Sequence, residues 1–594
     1  MHKLLEYPFD SSVLLKKKRR IRRELKENGN FIKKKVAILG GSTTSEIKDM
    51  LELFLLNYGI EPEFYESEFG QFWQDAMFPN EQLEEFSPDI IYIHTSNRNI
   101  LQYPGVYDAQ EQVEATLEEE YNRYQSMWIR LSEKYHCPII QNNFEMPYYR
   151  LLGNKDASDI HGKIHFLSEL NIRFYHYAQS RDDFYINDIN YLSAVYGLDR
   201  WSDPLYWHMY KYCVCIPAIP ELAYNVANIV KSIYGKNKKA LVLDLDNTLW
   251  GGVVGDDGVD KIVIGHETSM GQAYSEFQEY IKAHKDLGIM LNVNSKNDYE
   301  NAIAGLNHPE GTLRPEDFIL IKANWENKDK NIYEISKELN IGEDSLVFID
   351  DNPVERDIVK NSFPTVAAPA IDKVERYIQV LDRAGYFEVT KLSEDDKKRN
   401  EMYKKNIQRA EMSKSFDNYD EYLKSLQMEA VIRPFDEIYM PRIAQLTNKS
   451  NQFNLTTKRL SETDIRTMSE SSDHICLYGK LKDKFGDNGV ITVVIGRAEK
   501  EILHIKLWLM SCRVLKRGME QAMLDELVLY AKKRGISQIK GYYYKTAKNA
   551  MVANLYKEFG FEKISENENG DSEWILNIKD YNIKNKNIKV VRSL

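Results

Sequence analysis

A chain of 594 residues with 43% hydrophobic and 28% charged side chains is long enough for about three or four globular domains, and its net charge of −11 argues against bulk nucleic-acid binding. No apolar run approaches the ~20 residues needed to span a bilayer, and no apolar signal segment stands at the N-terminus. Five cysteines (Cys137, Cys213, Cys215, Cys476 and Cys512) are few and odd in number and form no paired CxxC sets, which points to free thiols in a reducing compartment and to the cytoplasm.

Residues 1–29 carry a strongly basic helix, Leu14–Asn28, which reads as a solvated face or a docking surface. Lys35–Gly41 is a strand that passes through GGST into an amphipathic helix. Pro88–His94 and Cys137–Gln141 are further buried strands. Strands alternating with helical stretches imply a doubly wound α/β domain over 30–235. Cys213 and Cys215 would share a strand face, but no further ligand completes a metal site, so they read as buried thiols.

Lys239–Gly252, KALVLDLDNTLWGG, is the stretch that organises the chain. Ala240–Leu243 has the length and composition of a fully buried parallel strand. At its carboxyl end come Asp244, Asp246, Asn247 and Thr248, where open α/β sheets bind ligands. Two acids this close keep their charge only with a cation or a shared proton, and magnesium suits such an all-oxygen site. In that setting Asp244 is the candidate nucleophile, Asp246 the general acid and base, and Thr248 a hydrogen-bonding group that positions the loop. Alone, the pentapeptide DLDNT could also be a polar strand end or an Asx turn.

LDLDNTLWGG resembles motif I of the haloacid-dehalogenase (HAD) phosphatases, and the trailing WGG resembles their FkbH-type, HAD-IIIC branch. Three further stretches are similar to the family's later motifs, in the expected order. IMLNVNSKN ends in Ser295, Lys296 and Asn297, the expected phosphoryl-binding segment. NWENK offers Lys328 as the motif III cation, and LVFIDDNP ends in Asp350 and Asp351. The resemblance implies Mg²⁺ held by Asp244, Asp246 and the Asp350–Asp351 pair, with Asp351 favoured as the ligand of the two. Only about 40 residues separate the first two motifs, which leaves no room for an inserted cap domain; Gly251 and Gly252 are expected to hinge a flap and line the substrate site. The HAD domain is placed at 236–375.

The N-terminal domain looks like an SGNH-hydrolase-like, flavodoxin-like module, with Ser42 at the nucleophile's place and Asn97 at that of the oxyanion-hole amide. In place of the family's Asp and His three residues apart it offers Asp203 and His208. A charged helical connector is expected over 376–414. The unit from 415 to 594 resembles a GNAT acyltransferase, an α+β fold, and Arg513–Glu520 stands at its pyrophosphate-loop position. Glu520 departs from that pattern and would repel a pyrophosphate. QLTNKSNQFNLTT, FGDNG and WLMSCRVLKRG are similar to the C-terminal half of FkbH-type proteins. Cys512, beside Arg513, Lys516 and Arg517 at a helix start, is a candidate acyl-carrying thiol.

The expected fold is therefore a multidomain α/β chain with a capless Rossmannoid HAD domain between these two. The resemblance implies dephosphorylation of a 1,3-bisphosphoglycerate-like donor and delivery of its glyceryl group to an acyl carrier protein thiol. This chemistry would serve polyketide or surface-polysaccharide biosynthesis. A plain phosphatase with flanking binding domains is the alternative.

Overall fold

Three sheets, each built on runs of Val, Ile and Leu, divide the work of burial in the computed structural model, which describes residues 2–591 apart from Asn28, Asn30 and Ala547. Two compact units result. One is Met1–Lys236 with Leu381–Lys391; the other is Asn237–Val380 with Leu392–Leu594. The chain is thus a multidomain α/β protein with two parallel sheets and a largely antiparallel third.

In the first unit, β1 (Ile32–Gly40), β2 (Ile60–Glu66), β3 (Ile90–His94), β4 (Ile139–Asn142) and β5 (Phe184–Asn187) pair in the order β2-β1-β3-β4-β5, all parallel. This is the flavodoxin-like order, and it reverses between β1 and β3. The basic helix, Ser11–Glu27, is no free docking surface. Leu14 and Ile21 are buried, Lys18 pairs with Glu46 and Asp49, and Arg22 pairs with Asp49 and Glu52. Those acids recur every three residues along the next helix, so the basic face has an acidic stripe to meet. Asn28 lies outside the described residues.

The second unit contains the HAD-like sheet: β6 (Ala240–Leu243), β7 (Met290–Ser295), β8 (Leu320–Ala323) and β9 (Leu346–Ile349), ordered β8-β7-β6-β9 and parallel throughout. Between β6 and the helix Ser269–Asp286 stand only two short helical turns, Val254–Asp257 and Val259–Lys261, and no cap domain. The third sheet comprises β10 (Met428–Pro434), β11 (Phe453–Asn454), β12 (His474–Asp483), β13 (Gly486–Glu499), β14 (Ile502–Met510), β15 (Gln538–Tyr543), β16 (Glu562–Glu566), β17 (Ser572–Asn577) and β18 (Ile588–Val590). Its centre is antiparallel. β14 and β15 run parallel over three residue pairs, joined by a crossover that contains the helix Met519–Lys533. This matches the α+β character expected of the C-terminal region.

The expected connector, 376–414, divides. Leu381–Lys391 returns to the first unit, because Ala384, Gly385 and Glu388 offer carbonyls to Tyr224 Oη (2.6 Å), Lys231 Nζ (2.5 Å) and Ser232 Oγ (2.9 Å). The helix Arg399–Ser413 instead bolts the two sheets of the second unit together. Its Asn400 Nδ2 donates to the Lys285 and Ile289 carbonyls on the HAD-like side. Its Arg409 donates from Nε (2.9 Å) and Nη2 (2.7 Å) to the Asp483 carboxylate on the other side, where Arg517 Nη1 also sits at 3.2 Å. The FGDNG and SCRVLKRG motifs are linked through this one buried acid.

Removing one member of a buried charge group leaves the rest uncompensated. Asp483→Ala should therefore destabilise the second unit by about 3–5 kcal/mol, read as a lowered denaturation midpoint. An unchanged midpoint would mean that Arg409 and Arg517 do not depend on Asp483.

Candidate functional site

Parallel register decides which residues meet. Leu243 is level with Ile349, so the next positions, Asp244 and Asp350, emerge side by side at the carboxyl ends of β6 and β9. Leu243 is also level with Val293, which brings Ser295, the last residue of β7, to the same edge. Lys328, the first residue of the helix Lys328–Glu338, projects its ammonium between the two acids, 2.7 Å from Asp244 and 2.5 Å from Asp350. Asp244, Asp350 and Asp351 each place a carboxylate oxygen within 4.8 Å of the others. Asp350 and Ser295 are essentially inaccessible, and Asp244 is only 7% exposed.

The electrostatics follow from that burial. Desolvation, then the charge of Asp244, raises the pKa of both Asp350 and Asp351. Burial would lower Lys328, but Asp244 and Asp350 outweigh it and hold the amine above its ordinary value. Three carboxylates against one ammonium leave negative charge for a cation to balance, and all three donors are oxygen. The residues present fit Mg²⁺.

Asp246, expected among the metal ligands, is not gathered with this group. Its Oδ1 accepts from Trp250 Nε1 (2.9 Å) and Val254 N (3.0 Å), and its Oδ2 accepts from Asn297 Nδ2 (3.0 Å). Desolvation raises its pKa. Asn297, expected to touch substrate, thus orients Asp246. Lys296 is turned aside into an ion pair with Glu355 at 2.8 Å. Thr248 Oγ1 accepts from Asp351 N (3.2 Å) and ties the first motif to the last.

The WGG segment is explained by packing. Trp250 caps Asp246 and lies so close to Gly305 that a β-carbon there would stand 2.8 Å from the indole ring. Gly251 exchanges backbone hydrogen bonds with Val263, and Gly252 adopts φ +92° while donating to Asn247 Oδ1 at 3.0 Å. The two glycines therefore form a turn held by their own neighbours, where a substrate-lining flap was expected. Sequence reasoning missed Arg356, whose Nη1 donates to the carbonyls of Asp350 (2.6 Å) and Asp351 (2.8 Å). It stands one helical turn past the acids, in a helix whose periodicity gives no sign of it.

The expected second thiol site lies elsewhere. Cys512 begins a short 3₁₀ turn after β14 and is partly exposed, with Tyr403 Oη 3.8 Å from its sulfur. His504, on the same strand, hydrogen-bonds Tyr542 at 2.7 Å and is not the thiol's partner.

In the first unit the SGNH-like positions meet other partners. Ser42 Oγ lies 3.1 Å from Cys213 Sγ, which lies 3.2 Å from His94 Nε2. Burial holds that imidazole down at about 4. His208 is exposed, and Asp203 caps the helix Pro204–Tyr210. Asn97 Nδ2 faces the carbonyls of Glu145 (3.3 Å) and Met146 (3.4 Å), so it is not free to serve as an oxyanion donor.

Comparison with known proteins agrees with this architecture. Residues 35–231 match the family described as FkbH, N-terminal domain. The N-terminal part of protein BF1531 from Bacteroides fragilis, described as containing a phosphatase domain complexed with Mg, is 30% identical; the match covers 63% of this chain and 99% of that one, with a TM-score of 0.58. The chain belongs to the FkbH-like family. Its HAD-like domain is the counterpart of a phosphatase domain. No curated protein sequence matches. The Escherichia coli ribosomal-protein-S18-alanine N-acetyltransferase (15% identity, 26% of this chain, 96% of that chain, TM-score 0.21) and the GNAT domain of S. lividans PAT (15%, 25%, 89%, 0.21) are similar at a much lower level, which implies nothing about chemistry. Among the described residues, no helix is long and apolar enough to cross a membrane.

Glu145 offers a pH test of the first unit. Its buried carboxyl is pushed up from 4.5 to about 7 by desolvation. The unfolded chain therefore loses this proton first, and folding stability falls as pH rises through that window. Glu145→Gln should be more stable than the parent by about 1–3 kcal/mol near pH 8, with the difference vanishing near pH 4. Denaturation at a series of pH values checks it; equal stability at both ends would contradict the buried placement.

Proposed function

We propose that this protein is a Mg²⁺-dependent phosphatase that hydrolyses the phosphate ester of a phosphorylated three-carbon acyl donor, and that the Cys512 thiolate attacks the donor's acyl-phosphate carbon and expels inorganic phosphate, the glyceryl thioester then passing by exchange to an acyl carrier protein thiol. The observation that carries the phosphatase reading is Lys328 seated between Asp244 and Asp350. An Asp244 oxygen attacks phosphorus, and an aspartyl phosphate forms as the leaving oxygen takes a proton from Asp246. Asp246 suits that task because burial favours its protonated form while Trp250, Val254 and Asn297 fix its direction. Asp246 then draws a proton from the water that hydrolyses the acyl phosphate. Lys328 and Ser295 hold phosphoryl oxygens, with Lys328 oriented by Asp350. Mg²⁺, held by Asp244 and Asp351, would balance the charge that accumulates on the phosphoryl group.

The acyl-transfer part rests on Cys512, a partly exposed thiol at the rim of a cavity, and on the family resemblance of its surroundings. The plain phosphatase is favoured by one observation: that cavity opens at the amino-terminal ends of β6 and β9, away from Asp244.

Asp244→Asn should lower phosphate release from a phosphoryl substrate by roughly 10⁴-fold or more, because the nucleophile acts as one unit with its neighbours. Retained turnover would remove Asp244 from the reaction. Intact-mass spectrometry of an acyl carrier protein incubated with enzyme, Mg²⁺ and 1,3-bisphosphoglycerate separates the two readings. A glyceryl adduct that disappears with Cys512→Ala supports transfer through the thiol; no adduct leaves the plain phosphatase.

A further inference from the structure

A cavity of about 450 Å³ lies within the second unit, between the amino-terminal edge of the HAD-like sheet and the third sheet. Lys239 and Asp344–Ser345, which precede β6 and β9, form one wall. Met510–Arg513 forms another, and Asn340 Nδ2 donates to the Cys512 carbonyl at 2.9 Å. Lys239 and Asp244 stand at opposite ends of one strand, roughly 16 Å apart at about 3.3 Å per residue.

The lining is unusually cationic. Lys239, Arg399, Arg442, Lys449, Arg513 and Lys548 all face the cavity. Lys548 pairs with Asp344. Two neighbouring acids, Asp395 and Asp396, serve four of the others. Asp396 meets Arg399 and Lys449 (3.2 Å), while Asp395 meets Arg442 (2.8 Å) and Arg513 (3.6 Å). No hydrogen bond reaches Lys239 Nζ among the described residues. Burial first, and the like charge of neighbouring cations after it, pulls Lys239 below its ordinary value, Lys449 down to about 8 and Arg442 down to about 10. A bound anion would relieve that.

We infer that this cavity is a second phosphate-binding site, one that holds a phosphate without cleaving it, and that its ligand is a phosphate-bearing acyl or thiol compound whose far end reaches Cys512. The site has cations and a thiol; Glu343 and Asp344 also line it, but among the described residues no three carboxylates there converge as they do around Asp244. The inference deepens the acyl-transfer reading of Cys512 and is independent of the phosphatase reading. It places thiol loading and phosphate hydrolysis at opposite ends of one sheet, so the acyl group travels between them on a mobile carrier or through bulk solvent.

Alkylation of Cys512 by iodoacetamide, followed by peptide mass in the full chain, tests it without turnover at Asp244. Two phosphorylated probes, 3-phosphoglycerate and 4′-phosphopantetheine, are compared with glycerate and pantetheine. At about ten times its dissociation constant a phosphorylated probe should slow alkylation about tenfold. The arm that protects identifies whether the phosphate belongs to a small acid or to a carrier's arm. Lys449→Gln and the more exposed Lys548→Gln should each weaken that protection. Equal protection by the unphosphorylated partners, or none by any probe, would overturn the inference, and neither result bears on Asp244.

Discussion

Lys328 is the constraint on which the phosphatase half of this molecule depends. Three carboxylates within 4.8 Å of one another, two of them buried, cannot all keep their full charge without compensation. The ammonium between Asp244 and Asp350 supplies part of it, and the remainder is charge that a cation could balance. Everything around the lysine serves its position. Asn294 Nδ2 donates to the Lys328 carbonyl at 2.9 Å, and Asn331 ties Asn294 to Asn324. Arg356 clamps the carbonyls behind the acid pair. The buried polar network is large, yet its members find partners, as a low-dielectric site requires.

The second unit uses both ends of the same short parallel sheet. Carboxylates crowd the carboxyl-terminal edge, and cations crowd the amino-terminal edge where the third sheet packs against it. The helix Arg399–Ser413 holds that arrangement together. It inserts Tyr403 into the HAD-like core and Arg409 into a buried charge group beneath the β12–β13 hairpin. No single motif announces an acid cluster and a cation-lined cavity at opposite edges of one sheet.

Much of this was legible from residues alone, for a physical reason. A buried parallel strand is a short apolar run, and a ligand site at its end is an abrupt change to polar residues. Ala240–Leu243 followed by Asp244, and Leu346–Ile349 followed by Asp350, show both signals within a few positions. What sequence could not supply was direction and partnership. Asp246 resembles a ligand by spacing, yet Trp250 and Asn297 turn it away from the acid cluster. Gly251 and Gly252 suggest a substrate-facing flap, yet the first pairs with Val263 and the second closes a turn. Ser42 stands where a nucleophile would, but its neighbour is a thiol, because Cys213 comes from 171 residues away. The six cations of the cavity come from five separated stretches of chain, and no local pattern joins them.

The most direct test of the central claim is a crystal structure of the full chain soaked with Mg²⁺ and beryllium fluoride, a mimic of a phosphoryl group on an aspartate. The account predicts the fluoride adduct on Asp244, within reach of Lys328 and Ser295, with the metal on Asp244 and Asp351. An adduct on another residue, or a metal bound elsewhere with Lys328 and Asp350 still paired, would contradict it.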